Sequence, residues 1–200
     1  MTTIKTEYGV FTYDEYLAAF EQWVKDETSS SKNSTVALAG FTKLNLARTN
    51  RLHKTIELKP ELVKLVQSMQ HTYAWTVLTE AWCGDSAQTL PLIAEIARLN
   101  PEKIQLQIIL RDEHPELMNN YLTNNARAIP KLVVFNETLS KESFVWGPRP
   151  LPAQELLLNW KKNPDGRSWD DFEKELHGWY AKDKSETMQN EFLQLLQDLN

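Results

Sequence analysis

Five consecutive residues near the middle of the chain, Trp82-Cys83-Gly84-Asp85-Ser86, carry the side chains best suited to chemistry. They follow a short apolar run, Tyr73 to Thr79, and open a run with helical spacing, Ala87 to Leu99. Cys83 is the only cysteine, so this pattern places a single thiol between a strand end and a helix start. The unpaired N–H groups and the dipole of a helix N-terminus favour an anion, and cysteine pKa values there can fall from ~8.5 to about 3.5–7.5. The pattern predicts a nucleophilic thiol; the alternative is a buried, inert cysteine.

The polar residues beside Cys83 act on its thiol in opposite directions. Ser86 lies one helical turn further on, where its hydroxyl would donate to the thiolate, cap the helix, or do both. Asp85 suits the helix dipole, but its negative charge opposes thiolate formation. Glu80, three residues before the cysteine, is either a proton acceptor or a solvated carboxylate. The net shift of the thiol pKa is therefore left open by the sequence.

The residues around this turn resemble the thioredoxin superfamily, and the resemblance continues along the chain. Glu80-Ala81-Trp82-Cys83-Gly84 is similar to the Trp-Cys-Gly active-site turn of thioredoxins, and Pro91 falls where their active-site helix carries a kinking proline. Arg127-Ala128-Ile129-Pro130, followed by Lys131 to Phe135, resembles the cis-proline loop and the strand after it. Phe144-Val145-Trp146-Gly147 fits the last strand and its glycine. The resemblance covers residues 71–163 and implies a thioredoxin-like sheet with an active site at Cys83.

Two departures from the family pattern concern the chemistry. Ser86 stands where the second, resolving cysteine of thioredoxins would stand. Val77 replaces the buried acid that thioredoxins carry six residues before the cysteine. The chain is thus a Cys-x-x-Ser protein, which makes no intramolecular disulfide at this site. We expect Cys83 and Ser86 to be the catalytic pair of a monothiol site.

The resemblance also implies residues that bind a substrate. Trp82 would shield the thiol and contact a partner polypeptide, or it packs in the core. A cis bond before Pro130 would offer the main chain of Ile129 to an extended substrate beside Gly84 and Asp85. Two arginines, Arg127 and Arg149, flank the expected groove, where they would attract a carboxylate such as that of a glutathione-like thiol, unless they are solvated surface residues.

Composition excludes several classes of function. The net charge is -5 at a pI of 5.5, whereas nucleic-acid binders concentrate basic residues on one face. No stretch approaches the ~18–20 apolar residues of a membrane helix, and Met1 to Asp14 lacks the apolar region of a secretory signal. With a lone cysteine, this predicts a cytoplasmic protein. The histidines are scattered, so no metal site is assigned.

Hydrophobic periodicity predicts an α/β protein with a mixed β-sheet flanked by helices and with extra N-terminal and C-terminal helices, and the resemblance implies that this sheet is thioredoxin-like. The expected parts, forming one compact unit, are a helical extension over 1–70, the thioredoxin-like domain over 71–163 and a second helical extension over 164–200. Strands are predicted at Tyr73–Leu78, Ile104–Leu110, Lys131–Phe135 and Ser143–Trp146. Helices are predicted at Tyr13–Asp26, Val36–Arg51, Glu61–Met69, Ala87–Leu99, Pro115–Leu122, Ala153–Lys161 and from Asp170 through Tyr180 to Leu199. In the second of these helices, Thr42 and Asn45 interrupt the apolar pattern.

The leading functional hypothesis is monothiol thiol–disulfide exchange, in which Cys83 forms a mixed disulfide that an external thiol resolves. The partners would be a disulfide-containing protein or a small-thiol mixed disulfide, with no cofactor beyond an external low-molecular-weight thiol such as glutathione. The alternative is a non-enzymatic module that binds a polypeptide beside Pro130. A third hypothesis borrows the iron–sulfur cluster of monothiol glutaredoxins, although Trp82 is typical of thioredoxins. Three tryptophans near the C-terminus are expected either to pack within the protein or to form a homodimer face: Trp160, Trp169 and Trp179.

Overall fold

The structure, a computed structural model, describes residues 9–138 and 140–199. Most of the N-terminal segment in which no secretory signal is predicted, and Leu139 between the last two predicted strands, lie outside these residues. The described elements are, in chain order, β1 (Val10–Phe11), α1 (Tyr13–Lys25), α2 (Val36–Thr55), α3 (Pro60–Gln67), β2 (Tyr73–Thr79), α4 (Gly84–Arg98), β3 (Ile104–Leu110), α5 (Pro115–Asn119), β4 (Lys131–Asn136), β5 (Lys141–Trp146), α6 (Leu151–Lys162), α7 (Trp169–Asp183) and α8 (Glu186–Gln197).

The strands form one mixed sheet in the order β1-β3-β2-β4-β5. The central strand β2 runs parallel to β3, with Tyr73 opposite Ile104 and Thr79 opposite Leu110, and antiparallel to β4. The β2 sequence is aromatic and β-branched, as expected of a strand covered on both faces, and Trp75 and Val77 are fully buried. The fold is the predicted α/β sheet flanked by helices, and β2 ends directly before the Cys83 turn.

Buried apolar residues form three clusters, and all three contain residues from the extensions or from the Cys83 turn. The largest combines the sheet and α4 with side chains of both extensions, such as Phe20, Leu62 and Phe192. A smaller cluster contains Cys83 and Ile129 together with residues at the ends of β2 and β3. The third joins α6 to α7. Both helical extensions are thus packed against the elements that carry the site. Among the residues described, no helix has the length and apolar character that crossing a membrane requires.

The structure differs from the sequence predictions in four places. The short strand β1 was not predicted; it pairs antiparallel with β3, at the sheet edge. The predicted continuous C-terminal helix is wrong, because Lys184 and Ser185 both adopt left-handed backbone conformations that separate α7 from α8. The helix after β3 ends at Asn119, earlier than predicted, and α2 continues further than predicted, to Thr55.

The second helix buries a different set of side chains from the one that its apolar pattern suggests. Thr42 and Asn45, which seemed to interrupt its apolar pattern, are fully buried, whereas Phe41 and Leu44 are exposed. The reason is a hydrogen bond: Asn45 Nδ2 donates to the carbonyl oxygen of Ala81 at 3.1 Å. A buried carbonyl without a partner costs stability, so the helix turns polar side chains toward the loop that follows β2.

Candidate functional site around Cys83

Cys83 is the N-cap residue of α4, in an extended backbone conformation. Its N–H donates to the Glu80 carbonyl oxygen at 3.1 Å, which closes the turn after β2. Its Sγ donates to the Ile129 carbonyl oxygen at 3.4 Å, and the Ile129–Pro130 peptide bond is cis. Only 8% of the residue is exposed. The loop before β4 therefore lies directly over the thiol.

The surroundings of the thiol hold it in the protonated form at rest. Burial, followed by the negative charge of Asp85, raises the pKa of Cys83 to about 11, while Ser86 and Arg149 act in the opposite direction. The sequence left this balance open. The helix N-terminus expected to favour a thiolate is present, but desolvation of the sulfur is the larger effect.

Asp85 is buried in the first turn of α4 and forms an ion pair with Arg149. The Arg149 Nη2 atom lies 2.5 Å from Asp85 Oδ2, and the Tyr180 hydroxyl donates to Asp85 Oδ1 at 2.9 Å. Burial raises the pKa of Asp85, and Arg149 opposes this effect most strongly. Arg149 is thus not a solvated surface residue: only 11% of its side chain is exposed. The C-terminal extension, through Tyr180, anchors the first turn of α4.

Glu80, on the other side of the turn, is fully buried rather than solvated. Its carboxylate accepts hydrogen bonds from the Ser30 hydroxyl and from the Asp112 N–H, the latter at 2.9 Å. The Ser30 hydroxyl also accepts from the Ala81 N–H at 2.9 Å. Desolvation raises the pKa of Glu80 to about 7, against the lowering effect of these hydrogen bonds. A buried acid that titrates near neutral pH therefore stands three residues before the cysteine.

Ser86 points away from the groove, into the interior. Its residue is 2% exposed, and within the part of the chain described here its hydroxyl has no hydrogen-bond partner and does not cap α4. It lines a small internal cavity of about 10 Å³ together with Glu80 and Tyr16. Ser86 also lowers the pKa of the Cys83 thiol, so it is close to the thiol as well as to the cavity that Glu80 lines.

An open pocket of about 350 Å³ lies on the outer side of Cys83. Trp82, Gly84, Asp85 and Ile129 line it together with the cysteine, so five of the seven predicted site residues share one surface. Pro130 is buried beside this surface, and its carbonyl oxygen faces Gly147 so closely that a Cβ there would overlap it. The other walls come from both extensions: Leu38, Phe41 and Arg48 of α2, and Trp169, Glu173, Leu176 and His177 of α7.

Gly84, in the first turn of α4, lies close to α7. A Cβ built on Gly84 would lie 2.9 Å from His177 Nε2 and 3.4 Å from Arg48 Nη1. The His177 ring is held by Gln88, with Gln88 Nε2 and His177 Nδ1 3.1 Å apart. Burial and the nearby cation Arg48 lower the pKa of His177 to about 4, so the ring is neutral at pH 7. A glycine at position 84 lets the imidazole reach the turn.

Trp82 contributes one edge of the pocket. The Arg111 guanidinium lies 4.8 Å from its ring centroid, a cation–π contact. Its indole N–H is buried and finds no acceptor among the described residues. Arg111 in turn pairs with Asp112 at 2.7 Å and donates to the Arg127 carbonyl oxygen. The loop after β3 and the loop before β4 are thereby joined at the mouth of the pocket.

Sequence reasoning missed several polar residues of this site. Ser30, Arg48, His177 and Tyr180 belong to the extensions, outside the motifs of the resemblance, and Arg111 directly follows β3. One pattern in the sequence pointed to α2: Thr42, Asn45 and Thr49 recur at helical spacing, as a buried polar stripe does. No group of metal-ligating side chains is present in residues 9–138 and 140–199.

Comparison with known proteins agrees with this fold. The thioredoxin family model Thioredoxin_9 matches residues 32–164, more than half of the chain. The chain therefore belongs to this thioredoxin family, and the match includes α2 and α3 of the N-terminal extension. A search of curated proteins finds no match.

Two solved structures share the fold over nearly their whole length. One is a protein of unknown function, PA1234, from Pseudomonas aeruginosa, with 19% identity, a TM-score of 0.60 and coverage of 95% of this chain and 99% of that chain. The other is an HIV epitope-scaffold, 4E10_S0, with 19% identity, a TM-score of 0.55 and coverage of 94% and 99%. Such low identity shows a shared fold, which here includes the extensions.

Proposed function

We propose that the protein carries out monothiol thiol–disulfide exchange at Cys83. The observation that supports this most directly is the position of the thiol: it lies at the wall of an open 350 Å³ pocket, whose volume falls in the range of small-molecule sites. A structural cysteine would face only protein. The single cysteine of the chain means that the mixed disulfide has no internal thiol to resolve it.

The exchange involves two displacements. The Cys83 thiolate attacks one sulfur of a disulfide R–S–S–R, the S–S bond breaks, and R–S⁻ leaves and takes up a proton. The product is the mixed disulfide Cys83–S–S–R. An external thiol R′–SH, as its thiolate, then attacks the R sulfur and releases Cys83. No electrons are gained or lost by the protein over the cycle, because R–S–S–R and R′–SH become R–SH and R–S–S–R′.

The raised thiol pKa slows this reaction but does not prevent it. An increase in pKa from 9.0 to about 11 lowers the thiolate fraction at neutral pH by roughly 100-fold. The more basic thiolate is also more nucleophilic, by roughly tenfold for a Brønsted coefficient of about 0.4–0.5. The net penalty is roughly tenfold, which proton removal and substrate binding must offset.

Glu80 is the group we assign to proton removal. Glu80 and Ser86 line the same internal cavity, and Ser86 lowers the pKa of the thiol. A base is most effective when its pKa lies near the working pH, and that of Glu80 is about 7. Glu80 would thus take the role of the buried acid that thioredoxins carry at the position of Val77.

The direct experiment is the reaction of the folded protein with hydroxyethyl disulfide, a neutral small disulfide, followed by intact-mass detection of a Cys83 adduct and its release by an external thiol. We expect both steps in the wild type and neither in Cys83→Ser, which preserves size and removes the sulfur. A wild-type protein that forms no adduct when folded, but does so in urea, would contradict exchange.

A second candidate function, a non-enzymatic binding module, is favoured by the mostly protonated thiol. Exposed apolar side chains of α2, including Phe41, lie beside the pocket and would contact a bound partner. Under this alternative, Cys83→Ser retains binding of the partner. Loss of binding in Cys83→Ser, or its dependence on a free thiol, would decide for exchange.

A further inference from the structure

We propose that the pocket selects low-molecular-weight disulfides whose arms carry carboxylates. This inference rests on the proposed exchange at Cys83 and names the substrate class of the same site. It follows from three features of the pocket: its restricted opening, its excess of arginines, and its buried donors that lack acceptors.

The opening restricts the size of a substrate. Helices α2 and α7 both contribute walls of the pocket, and only 8% of Cys83 is exposed. The Ile129 carbonyl oxygen, which strand-like binding of a polypeptide would need, accepts the hydrogen bond of the Cys83 thiol. Ile129 itself is 5% exposed. A compact molecule reaches the sulfur without displacing either helix.

The charge of the pocket is opposite to the charge of the protein. The whole chain has a net charge of -5, yet four arginines line the pocket, Arg48, Arg111, Arg127 and Arg149, against two carboxylates. One of these carboxylates, Asp85, is paired with Arg149, and Arg111 pairs with Asp112. The second carboxylate, Glu173, acts electrostatically on Arg48 without forming an ion pair with it, so the remaining excess of positive charge comes from Arg48 and Arg127.

Arg48 and Arg127 are the cations available to a ligand. Within residues 9–138 and 140–199, neither forms an ion pair; Arg48 donates to the Asn45 side-chain oxygen at 2.8 Å, and Arg127 to that of Asn119 at 2.9 Å. Amide partners position a guanidinium without neutralising it. An arginine held in this way presents its remaining N–H groups to a carboxylate, often in a bidentate pair.

Two buried donors point to further ligand contacts. The indole N–H of Trp82 and Nε of Arg149 have no acceptor in the part of the chain described, and both residues line the pocket. Buried donors in proteins normally find a partner. A ligand with several carboxylate or carbonyl oxygens supplies such acceptors, whereas a cationic or purely apolar ligand does not.

Reaction with three small disulfides of different charge tests the inference: oxidised glutathione, which carries carboxylates and is net negative, neutral hydroxyethyl disulfide, and cationic cystamine. The rate of Cys83 adduct formation is measured for each at low ionic strength. Each rate is divided by the rate of the same reagent with the protein unfolded in urea, which removes differences in intrinsic reactivity.

We expect the normalised rate for oxidised glutathione to exceed that for cystamine by at least about tenfold, and the ratio to shrink with added salt. Arg48→Gln and Arg127→Gln each lower the ratio about threefold or more, while Arg98→Gln, at the far end of α4, leaves it unchanged. Equal normalised rates for the three reagents would overturn the charge selection and leave exchange intact. No adduct with any reagent in the folded protein would instead contradict the proposed function.

Discussion

The two buried carboxylates that flank Cys83 differ in what surrounds them. The two oxygens of Asp85 meet a cation of the central domain, Arg149, and the Tyr180 hydroxyl of the C-terminal extension. Glu80 receives hydrogen bonds from Ser30 of the N-terminal extension and from the Asp112 main chain of the central domain. Its nearest cationic influence, Arg111, is paired with Asp112.

This difference assigns the two acids different roles. An ion-paired carboxylate is part of the scaffold, because its charge balances another buried charge. A desolvated carboxylate without a cation takes up a proton near neutral pH, so it is suited to proton transfer. The same chemical change, carboxylate to amide, should therefore have opposite effects at positions 85 and 80.

The largest effect is expected for Asp85→Asn. The amide leaves the buried Arg149 cation without a counter-charge, and removal of one member of a buried ion pair costs about 3–5 kcal/mol. We expect the free energy of unfolding in urea at pH 7 to fall by about 3 kcal/mol. The pKa of the Cys83 thiol should also fall, because Asp85 is one of the groups that raise it.

The matched control for Asp85→Asn is the double variant Asp85→Asn/Arg149→Leu, which removes the unpaired charge and should recover much of the lost stability. A loss below about 1 kcal/mol in Asp85→Asn would show that the ion pair does not anchor the active-site helix.

The next-largest effect, an increase in the free energy of unfolding, is expected for Glu80→Gln. The folded pKa of Glu80, about 7, lies above the ordinary value of 4.5, so the folded state binds this proton more tightly. The contribution of Glu80 to the free energy of unfolding is fully present below pH 4.5, and it is lost as the pH rises toward 7. Glu80→Gln should therefore be more stable than the wild type at pH 8, by about 3 kcal/mol, and equal to it near pH 4.

His177 provides the control with the opposite pH slope. Its folded pKa, about 4, lies below the ordinary 6.5, so its contribution is present above pH 6.5 and is lost as the pH falls toward 4. In His177→Gln, the free energy of unfolding should decrease less as the pH falls toward 4. The decrease between pH 4.5 and 7 that Glu80 causes should remain. If Glu80→Gln and the wild type have the same free energy of unfolding at every pH, the raised pKa of Glu80 is contradicted.

The smallest effect concerns the contact between Gly84 and α7. In Gly84→Ala the new methyl group would lie 2.9 Å from His177 Nε2, so the ring or the helix must shift. We expect a loss of about 1 kcal/mol in urea unfolding, since the steric cost exceeds the gain in helix propensity. The matched control is Gly178→Ala, on α7, where a Cβ meets nothing within 4 Å. That variant should gain about 0.5–1 kcal/mol. Equal gains in both variants would show that α7 does not press on the turn.

The sequence was sufficient to predict most of the strands and the Cys83 turn, because the pattern of each is local. The apolar run of β2, the lone cysteine and the helical run after it are contiguous, and four of the five strands were predicted. The strand that was missed, Val10–Phe11, has two residues, and it is held by pairing with distant β3 rather than by its own pattern.

The environment of the thiol was beyond the sequence, because it depends on contacts between remote segments. Ser30 meets Glu80, and Tyr180 meets Asp85, only after both extensions have packed onto the core. The pKa of each acid depends on burial, which the residue type does not reveal. The buried polar face of α2 has the same origin: Asn45 is buried because it donates a hydrogen bond to the Ala81 carbonyl oxygen, not because it is apolar.

The role of Glu80 in exchange is tested most directly by the pH dependence of Cys83 adduct formation with hydroxyethyl disulfide, in the wild type and in Glu80→Gln. We expect a rate that rises through pH ~7 in the wild type, as Glu80 ionises, and a rate in Glu80→Gln that rises only toward the thiol pKa near 11. Identical profiles in the two proteins would contradict the role of Glu80 as the proton acceptor of Cys83.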